Sequence, residues 1–329
     1  MEKIQLSNTD LRVSKIALGC WGFAGGSMWG AQDDADSIAT IHAALDTGIN
    51  FFENAQGYGD GYSETVLGRA LQGRRHEAII ATKMRPQDTS PQGIEAACEQ
   101  SLKRLQIGYI DLLQPHWPFR QISAEETFLA FENLRQAGKI RAFGVSNYGV
   151  GDLGEILQVT PAASNQLPYS LLFRAIEYDV QPLCVQENVS ILCYSTLLHG
   201  LLAGKFTSAD EIPDGRARTR HFSKNRSGTR HDEEGCETEV FAALEQIRQI
   251  AAEIGQPMAL VAVAWVLHQP GVASVIAGAR QPEQIRELAA AADLVLEPKV
   301  IQKLNATTEP VKQILGPNPD MWMSESRFR

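Results

Sequence analysis

Short runs of apolar residues recur along the chain and alternate with longer stretches in which apolar positions have helical spacing. The runs begin near Ile16, Asn50, Ala78, Ile110, Arg141, Ala163, Ser190 and Ala273. Successive starts are separated by 34, 28, 32, 31, 22, 27 and 83 residues. Six of these intervals have the length of one strand, one helix and their loops. The pattern therefore predicts the α/β class and a (β/α)8, or TIM, barrel.

Two further segments frame the eight units. Residues 4–6 and 12–14 flank the turn residues 8–10, and this arrangement predicts a β-hairpin that caps one end of the barrel. Near the C-terminus, residues 298–309 predict an added helix and residues 316–329 an irregular tail. We interpret all 329 residues as a single domain, because α/β barrels often have this length.

Start and stop signals support the helices between the strands. The segment Ser123-Ala-Glu-Glu126 has the pattern of a capping box, and Gly48 and Gly138 stand where a helix end needs a left-handed residue. Residues 207–236 are polar and lack apolar periodicity, so they predict a long loop after the seventh strand, of a kind that is usually functional or disordered. Helical spacing resumes over residues 238–255.

Composition and charge favour an enzyme that acts on a small molecule. Apolar residues make up 44% of the chain, which is enough for a large core. A net charge of −9 and the absence of a lysine or arginine run argue against nucleic acid and anionic membranes as partners. The longest apolar run, residues 258–267, falls well short of the ~20 residues that span a bilayer, and no signal-peptide pattern is present.

The cysteines give no indication of a disulfide framework or a metal site. The five residues are odd in number, widely spaced and contain no CxxC pair: Cys20, Cys98, Cys184, Cys193 and Cys236. This usage fits the reducing cytoplasm. We therefore predict a cytoplasmic protein without a bound metal.

Groups that can contact a ligand follow every predicted strand. In chain order they are Gly19, Trp21 and Gly22, then Glu53 and Tyr58, Lys83, His116 and Trp117, Ser146 and Asn147, Asn165 and Gln166, Tyr194 and Ser195, and Gly278 and Arg280. Each has an ordinary structural interpretation when taken alone, such as a helix cap for Ser146 and Asn147. Because active sites of such barrels lie at the C-terminal ends of the strands, the convergence predicts one ligand site.

Four of these residues make chemical sense as a unit: Glu53, Tyr58, Lys83 and His116. A phenol with a pKa of about 10 becomes a proton donor near neutral pH when a neighbouring ammonium lowers that pKa. We expect Lys83 to supply the ammonium, Glu53 to keep Lys83 charged, and His116 to position a carbonyl oxygen beside the Tyr58 hydroxyl. This arrangement would protonate an oxygen while a hydride arrives at carbon.

Spaced matches along most of the chain give it a family resemblance. They include Gly48-Ile49-Asn50-Phe51-Phe52, Tyr58-Gly59, Ala81-Thr82-Lys83, Tyr109-Ile110-Asp111-Leu112 with His116-Trp117-Pro118, Gly144-Val145-Ser146-Asn147, Asn165-Gln166, Gly200-Leu201-Leu202 with Gly204-Lys205, and Gly278-Ala279-Arg280 with Gln284 and Glu287. In these motifs the chain resembles the aldo-keto reductase family. The resemblance implies a (β/α)8 barrel that reduces an aldehyde or ketone with NADPH, and the chain has no GxGxxG motif after a strand.

The resemblance also implies a cofactor site. Ser146, Asn147 and Gln166 would hydrogen-bond the nicotinamide carboxamide and Tyr194 would stack on the ring, while Lys205 and Arg216 would hold the diphosphate. Arg280, with Gln284 and Glu287, would bind the adenosine end, where a guanidinium suits the 2′-phosphate of NADP(H). The remaining implied contacts are Trp21, Ser195, Leu197, Gly200 and Gly278.

Two positions depart from the family pattern. Glu53 stands where the family has an aspartate, followed by Asn54 where a small hydroxyl residue is usual, and Leu288 stands where an asparagine near adenine is common. Two interpretations of Glu53 are open. It replaces aspartate as the counter-ion of Lys83, or it points into the pocket and acts on a specialised substrate.

Three functions follow, and a small-molecule carbonyl reductase is the first. The others are an NADP(H)-binding sensor or auxiliary subunit with little turnover, as in potassium-channel β subunits, and a sugar-modifying enzyme that uses the Glu53 variant.

We expect the substrate pocket around Trp21, Phe23, Met28, Trp29, Trp117 and the C-terminal tail. The substrate, the direction of the reaction and the oligomeric state are not predicted.

Overall fold

A computed structural model describes residues 1–85 and 87–329, without the side chains of Ser27 and Met28. It begins with the predicted hairpin, in which β1 (Lys3–Gln5) pairs antiparallel with β2 (Arg12–Ser14). Leu6, Leu11 and Val13 are fully buried and join a cluster with the barrel residues Phe51, Leu112 and Leu192, among others. The hairpin therefore closes the N-terminal end of the barrel.

The barrel strands are parallel and begin within one residue of the predicted starts. They are β3 (Ile16–Gly19), β4 (Phe51–Glu53), β5 (Ile79–Met84), β6 (Ile110–Pro115), β7 (Ile140–Phe143), β8 (Val145–Ser146), β9 (Ser164–Pro168), β10 (Ser190–Tyr194) and β11 (Val272–Gly278). Their order is β7-β6-β5-β4-β3-β11-β10-β9-β8. Because β7 and β8 are two parts of one strand position, the ring has eight positions, and the predicted (β/α)8 barrel is confirmed.

The break between β7 and β8 falls at Gly144. Its backbone N–H donates to Leu113 O at 3.1 Å on one neighbouring strand. A Cβ at Gly144 would lie 2.5 Å from Ser164 Oγ on the other neighbour, so any larger residue would push the two strands apart. A glycine is required here because the Ser164 side chain of β9 approaches so closely, with Ser164 O 3.3 Å from the same Cβ position.

Helices surround the barrel. They are α1 (Gly26–Trp29), α2 (Asp34–Asp46), α3 (Tyr62–Ala70), α4 (Pro91–Leu105), α5 (Ala124–Gln136), α6 (Val150–Val159), α7 (Val180–Gln186), α8 (Glu237–Glu253), α9 (Met258–Leu267), α10 (Pro282–Ala289) and α11 (Pro298–Leu315). The capping box at Ser123 is confirmed, because Ser123 Oγ accepts from Glu126 N and the Glu126 side chain accepts from Ser123 N. Gly48 and Gly138 have the predicted positive φ of 87° and 71°.

The C-terminal helix is longer than predicted. The predicted end at residue 309 is wrong, because α11 continues through Pro310 to Leu315. Val311 and Leu315 are buried on the face that also carries Leu304. Packing of this apolar face outweighs the unfavourable proline. Residues 316–329 are irregular, as predicted.

The loop of residues 207–236 is irregular, as predicted, apart from one short 3-10 turn, Ala209–Glu211. It is nevertheless packed against the barrel. His221 is fully buried, with Nε2 2.9 Å from Leu172 O and Nδ1 3.0 Å from Thr219 Oγ1. Arg220 donates to Leu315 O and Asn318 O and so ties the loop to the C-terminal segment.

His221 makes the stability of the fold depend on pH. Burial lowers the pKa of His221 from 6.5 to about 3. Below about pH 6.5 the unfolded chain therefore binds a proton that the folded chain does not. The free energy of unfolding consequently decreases as the pH is lowered. We expect a loss of about 2 kcal/mol from this residue between pH 7.5 and pH 5, measured by urea unfolding.

A matched pair of variants tests this dependence. His221→Gln keeps a donor for Leu172 O, so its stability should vary less between pH 7.5 and pH 5 than that of the wild type. In His76→Gln, which changes an exposed position, the stability should vary between the two pH values as it does in the wild type. An unchanged slope in His221→Gln would contradict the assignment.

No single helix among the described residues is long and apolar enough to cross a membrane. The helices α8 and α9 together have the length and composition of a membrane span, but the chain is bent by 94° at the break between them.

All five cysteines are free and buried. The described residues contain no group of three or more histidine, cysteine or acidic side chains that could hold a metal ion. The cytoplasmic location and the single-domain organisation stay predictions.

Candidate active site

A cavity of about 1250 Å³ opens at the C-terminal ends of the barrel strands. All of the predicted site residues line it: Trp21, Glu53, Tyr58, Lys83, His116, Ser146, Asn147, Gln166, Tyr194, Ser195, Leu197, Gly200, Lys205, Arg216, Gly278, Arg280, Gln284 and Glu287. Of the strand-end groups, Asn165 does not line it. Its side chain donates to Tyr148 O at 2.9 Å.

Glu53 and Lys83 form a buried ion pair at the base of the cavity. Glu53 ends β4 and Lys83 lies near the end of the neighbouring strand β5, and each side chain is almost fully buried, with relative exposures of 3% and 2%. Lys83 Nζ contacts Glu53 Oε1 and also donates to Asn54 O at 2.8 Å. This is the contact expected if Glu53 is the counter-ion of Lys83.

The Glu53 carboxylate has two further neighbours. Tyr58 donates its hydroxyl proton to Glu53 Oε1 at 3.3 Å, and Gln166 Nε2 donates to the same oxygen at 3.0 Å. Gln114 Nε2 donates to Gln166 Oε1 at 3.0 Å and orients that amide. The carboxylate therefore joins the candidate proton donor, the lysine and the amide predicted to bind the nicotinamide.

The expected effect of Lys83 on Tyr58 is wrong for the free protein. Burial raises the pKa of Tyr58, and the nearby Tyr194 and Cys20 act in the same direction. The physical reason is that the phenol is buried, while Glu53 neutralises Lys83 and accepts a hydrogen bond from the Tyr58 hydroxyl. Tyr58 is consequently a protonated phenol across the neutral range.

The other two titratable groups also respond to burial. Burial lowers the pKa of Lys83, and the adjacent Glu53 carboxylate acts in the opposite direction by favouring the charged amine. Burial, together with the charges of Lys83, Arg85 and Arg327, lowers the pKa of His116 well below 6.5. His116 is therefore neutral near pH 7 and can act as a hydrogen-bond donor or acceptor.

Two aromatic rings and the Lys83 ammonium pack around the Tyr58 ring. Trp21 stacks on Tyr58 with ring centroids 5.7 Å apart, and His116 approaches Tyr58 edge-on at 6.1 Å. Lys83 Nζ lies 4.8 Å from the centroid of the Tyr58 ring. Trp29 packs edge-on against Trp21 at 5.4 Å. These contacts fix the direction of the Tyr58 side chain.

The predicted nicotinamide contacts are linked to the same site. Tyr194 donates to Asn147 Oδ1 at 2.8 Å, and Asn147 Nδ2 donates to His116 O at 3.0 Å. Ser146 donates to Gln166 O at 3.3 Å. Asn147 has a φ of 62°, in the left-handed region that asparagine adopts more readily than most residues, and its two hydrogen bonds hold the side chain in place.

The loop after β10 carries a concentration of backbone strain. Ser195, Leu198 and His199 all have positive φ although none is glycine. Such residues persist when the surrounding structure holds them, and they cluster at ligand sites. Lys205 and Arg216 both lie near Gly200, since a Cβ at Gly200 would come within 3.7 Å of Lys205 Cδ and 4.0 Å of Arg216 Nη1.

Three buried polar atoms beside this loop lack a hydrogen-bond partner within the described residues. They are Trp29 Nε1, His199 Nε2 and Arg216 Nε. All three residues line the cavity. Because buried polar groups are normally paired, these atoms are free to receive a ligand.

The Arg280 guanidinium is hydrogen-bonded to residues 29–32, at the end of α1 and in the loop that follows it. Its guanidinium donates to Trp29 O, Ala31 O and Gln32 Oε1, the last at 2.6 Å. Gln284 Oε1 accepts from Arg280 N at 2.8 Å. A phosphate that binds Arg280 must therefore compete with residues 29–32 or use the remaining N–H groups.

Several cavity residues were not predicted. They are Gln32, Arg85, His199, Arg218 and Arg230, among others, whereas Trp322 and Arg327 lie in the C-terminal tail that was expected at the substrate pocket. Most of the residues that were not predicted lie in loops, where no periodic pattern marks them. Of the residues expected at the substrate pocket, Trp21, Trp29 and Trp117 line the cavity, whereas Phe23 is buried and does not. The Met28 side chain lies outside the described residues.

The barrel and the cavity with its tyrosine, lysine and histidine define a (β/α)8-barrel oxidoreductase. The family model for the aldo/keto reductase family matches residues 15–309. The chain belongs to this family, and it is an oxidoreductase that acts on carbonyl or alcohol groups. The resemblance identified from the sequence is confirmed.

The chain is similar to several curated proteins. It is 37% identical to aldo-keto reductase YhdN of Bacillus subtilis over 88% of both chains. It is 34% identical to an NADH-specific methylglyoxal reductase of Escherichia coli, covering 90% of this chain and 95% of that protein. It is also 28% identical to a probable voltage-gated potassium channel subunit beta of rice, Oryza sativa, covering 94% of this chain and 97% of that protein.

Two solved structures have the same fold. The glycerol dehydrogenase AKR11B4 from Gluconobacter oxydans matches with a TM-score of 0.83 and 32% identity over 97% of both chains. An aldo-keto reductase from Klebsiella pneumoniae in complex with NADPH matches with a TM-score of 0.74 and 28% identity, covering 100% of this chain and 98% of that one.

Proposed function

We propose that this protein reduces an aldehyde or ketone to an alcohol with NADPH and that Tyr58 donates the proton. One observation carries this proposal: Tyr58, Lys83, His116 and Glu53 converge at the base of a single cavity. Such convergence is what carbonyl reduction requires, because an oxygen must be protonated where carbon is reduced. The family membership supports the same chemistry.

Each of these residues has a distinct role. Neutral His116 donates a hydrogen bond to the carbonyl oxygen and positions it beside the Tyr58 hydroxyl. The hydrogen bond from Tyr58 to Glu53 is long, at 3.3 Å, so a carbonyl oxygen can compete for that proton. After Tyr58 has given up its proton, the Lys83 ammonium, which Glu53 keeps charged, stabilises the phenolate, and a proton from solvent then restores the phenol.

NADP(H) fits the rest of the cavity and, when bound, supplies the hydride for the carbonyl carbon. Among the described residues, the lining contains two acids, Glu53 and Glu287, and eight cationic residues: Lys83, Arg85, Lys205, Arg216, Arg218, Arg230, Arg280 and Arg327. A chain with a net charge of −9 therefore concentrates positive charge where a phosphate-rich cofactor would lie. The unpartnered Arg216 Nε would bind the diphosphate.

A spectrophotometric assay tests the proposal. The purified protein is mixed with NADPH and nitrobenzaldehydes, methylglyoxal or sugar aldehydes, and the loss of NADPH absorbance is followed. We expect turnover with at least one aldehyde. NADPH binding without turnover of any carbonyl would contradict the proposal.

Arg280→Ala should change the choice between cofactors. Removing a charge-assisted partner of the 2′-phosphate costs about 1.5–3 kcal/mol, which is about 10–100-fold in the Kd for NADPH. NADH lacks this phosphate and should lose less. Fluorescence titration of both cofactors measures the ratio, which matters because one relative is named NADH-specific.

Gln32→Ala is the control for Arg280→Ala. It removes the Gln32 acceptor of the Arg280 guanidinium without removing the charge. The preference for NADPH should therefore persist in Gln32→Ala. Equal losses for NADPH and NADH in Arg280→Ala would remove this residue from the phosphate site.

A cofactor-binding sensor is the second candidate. The similarity to a probable potassium channel subunit beta favours it. Tight NADPH binding with negligible turnover in the assay would support the sensor.

The third candidate, a sugar-modifying enzyme, needs a free Glu53 carboxylate. The contacts of that carboxylate with Lys83, Tyr58 and Gln166 argue against this use.

A further inference from the structure

Two arginines that are unassigned in the reduction reaction line the cavity next to His116. Arg85 follows β5, two residues after Lys83, and Arg327 belongs to the C-terminal tail. His116 N donates to Met84 O at 2.9 Å across the β5–β6 pair, so Arg85 follows directly beside His116, and the Arg327 guanidinium lies over the ring of Trp117, the next residue. The positive charge of both arginines also lowers the pKa of His116. Two cations from distant parts of the chain thus approach the point where the substrate carbonyl is expected.

Arg327 is held in a fixed position. Its Nε and Nη2 donate to the Asp320 carboxylate, which is fully buried, at 2.5 and 2.8 Å. The guanidinium also lies over the Trp117 ring, with Cζ 3.9 Å from the centroid. Nη1 makes no hydrogen bond within the described residues. Arg327 therefore presents an ordered donor group beside Trp117.

The guanidinium of Arg85 lies at an exposed position in the cavity lining. Its backbone N–H donates to Gln56 Oε1 at 3.3 Å, but its guanidinium makes no ion pair or hydrogen bond within residues 1–85 and 87–329. Neither acid of the lining is free for it, since Glu53 is used by Lys83 and Glu287 lies at the Arg280 end. The charge of Arg85 is thus left for a ligand.

We propose that Arg85 and Arg327 form an anion subsite, so that the preferred substrates are short carbonyl compounds carrying a carboxylate or a phosphate group. This inference rests on the proposed reductase function. The cofactor phosphates are assigned to Lys205, Arg216 and Arg280, so the anion at Arg85 belongs to the substrate. His116 holds the carbonyl oxygen, and the two guanidinium groups bind the charged end of the same molecule.

Matched substrates test the subsite. The first pair is 4-oxobutanoate and butanal, which share a four-carbon chain and differ in the carboxylate. The second pair is glyceraldehyde 3-phosphate and glyceraldehyde. For the wild type we expect that, in at least one of the two pairs, the kcat/KM of the anionic aldehyde exceeds that of the neutral aldehyde by about tenfold. The pair with the larger ratio identifies carboxylate or phosphate as the anion.

Charge-removing variants locate the effect. Arg85→Gln, at an exposed position whose side chain makes no ion pair within the described residues, should lower the anionic-to-neutral ratio by about tenfold, and so should Arg327→Gln. Arg12→Gln removes an exposed charge on β2 at the opposite end of the barrel and should leave the ratio unchanged. Since Arg327→Gln also removes a partner of buried Asp320, Arg85→Gln decides the test.

The outcomes separate this inference from the proposed function. Turnover of the neutral aldehydes without a preference for the anionic ones, or an unchanged ratio in Arg85→Gln, overturns the subsite and leaves the reductase assignment intact. Failure to consume NADPH with any of the four aldehydes overturns the subsite. If nitrobenzaldehydes, methylglyoxal and sugar aldehydes are not reduced either, the reductase assignment is overturned as well. A preference that falls in Arg85→Gln and persists in Arg12→Gln supports the subsite.

Discussion

Tyr58→Phe is expected to lower kcat for carbonyl reduction by about 10²–10⁴-fold, the usual contribution of a positioned general acid. The fold and NADPH binding should be preserved, because phenylalanine keeps the ring that stacks on Trp21. Within the described residues the hydroxyl makes one hydrogen bond, to Glu53, and its loss is tolerable. Steady-state kinetics and NADPH titration of the purified variant measure both effects.

The control for this variant is Tyr62→Phe. Tyr62 begins α3, is exposed, and donates its hydroxyl to Asp34 at 2.8 Å outside the cavity. Removing this phenol should leave kcat unchanged. Wild-type turnover in Tyr58→Phe, or an equal loss in Tyr62→Phe, would remove Tyr58 from the role of proton donor.

The strands could be predicted closely from the sequence because barrel strands are buried on both faces and read as continuous apolar runs. The predicted starts at Ile110 and Ser190 coincide with β6 and β10. The break at Gly144 could not be predicted, since it depends on the approach of Ser164 from a neighbouring strand. The predicted end of α11 at residue 309, just before Pro310, is wrong for a similar reason, because tertiary packing carries the helix onward.

The position of the candidate site followed from the rule that barrel chemistry lies at the C-terminal strand ends. The interactions within it did not follow. The acceptors around Arg280 come from Trp29, Ala31 and Gln32, far away in sequence, so no local pattern indicates them. The direction of the pKa shift of Tyr58 depends on burial, which spacing along the chain does not give.

Glu53→Gln is expected to lower kcat by about 10²–10³-fold. The change leaves Lys83 buried without a charged partner, a loss of about 3–5 kcal/mol for a broken buried pair. Part of this loss is relieved when Lys83 gives up its proton, because burial already lowers its pKa. The phenolate of Tyr58 then lacks a neighbouring cation when it forms.

The pH profile distinguishes this mechanism from simple misfolding. Without Glu53 the pKa of Lys83 falls further, so the alkaline limb of kcat against pH should move to lower pH in Glu53→Gln. Ionisation of Tyr58 does not account for such a limb, because burial raises the pKa of Tyr58 above 10. A lower rate with an unshifted limb would show that Glu53 does not control the charge of Lys83.

Glu53→Asp tests the position of the carboxylate at constant charge. Aspartate is one methylene shorter, so it can still pair with Lys83 while losing its hydrogen bond to Gln166. If Glu53 is the counter-ion, the alkaline limb should stay near that of the wild type and the rate on simple aldehydes should be kept or raised. Gln114 still orients the Gln166 amide, whose released N–H is then available to the cofactor. A loss of activity in Glu53→Asp as large as that in Glu53→Gln, measured on the same aldehyde, would contradict the counter-ion role and favour a carboxylate that acts on the substrate directly.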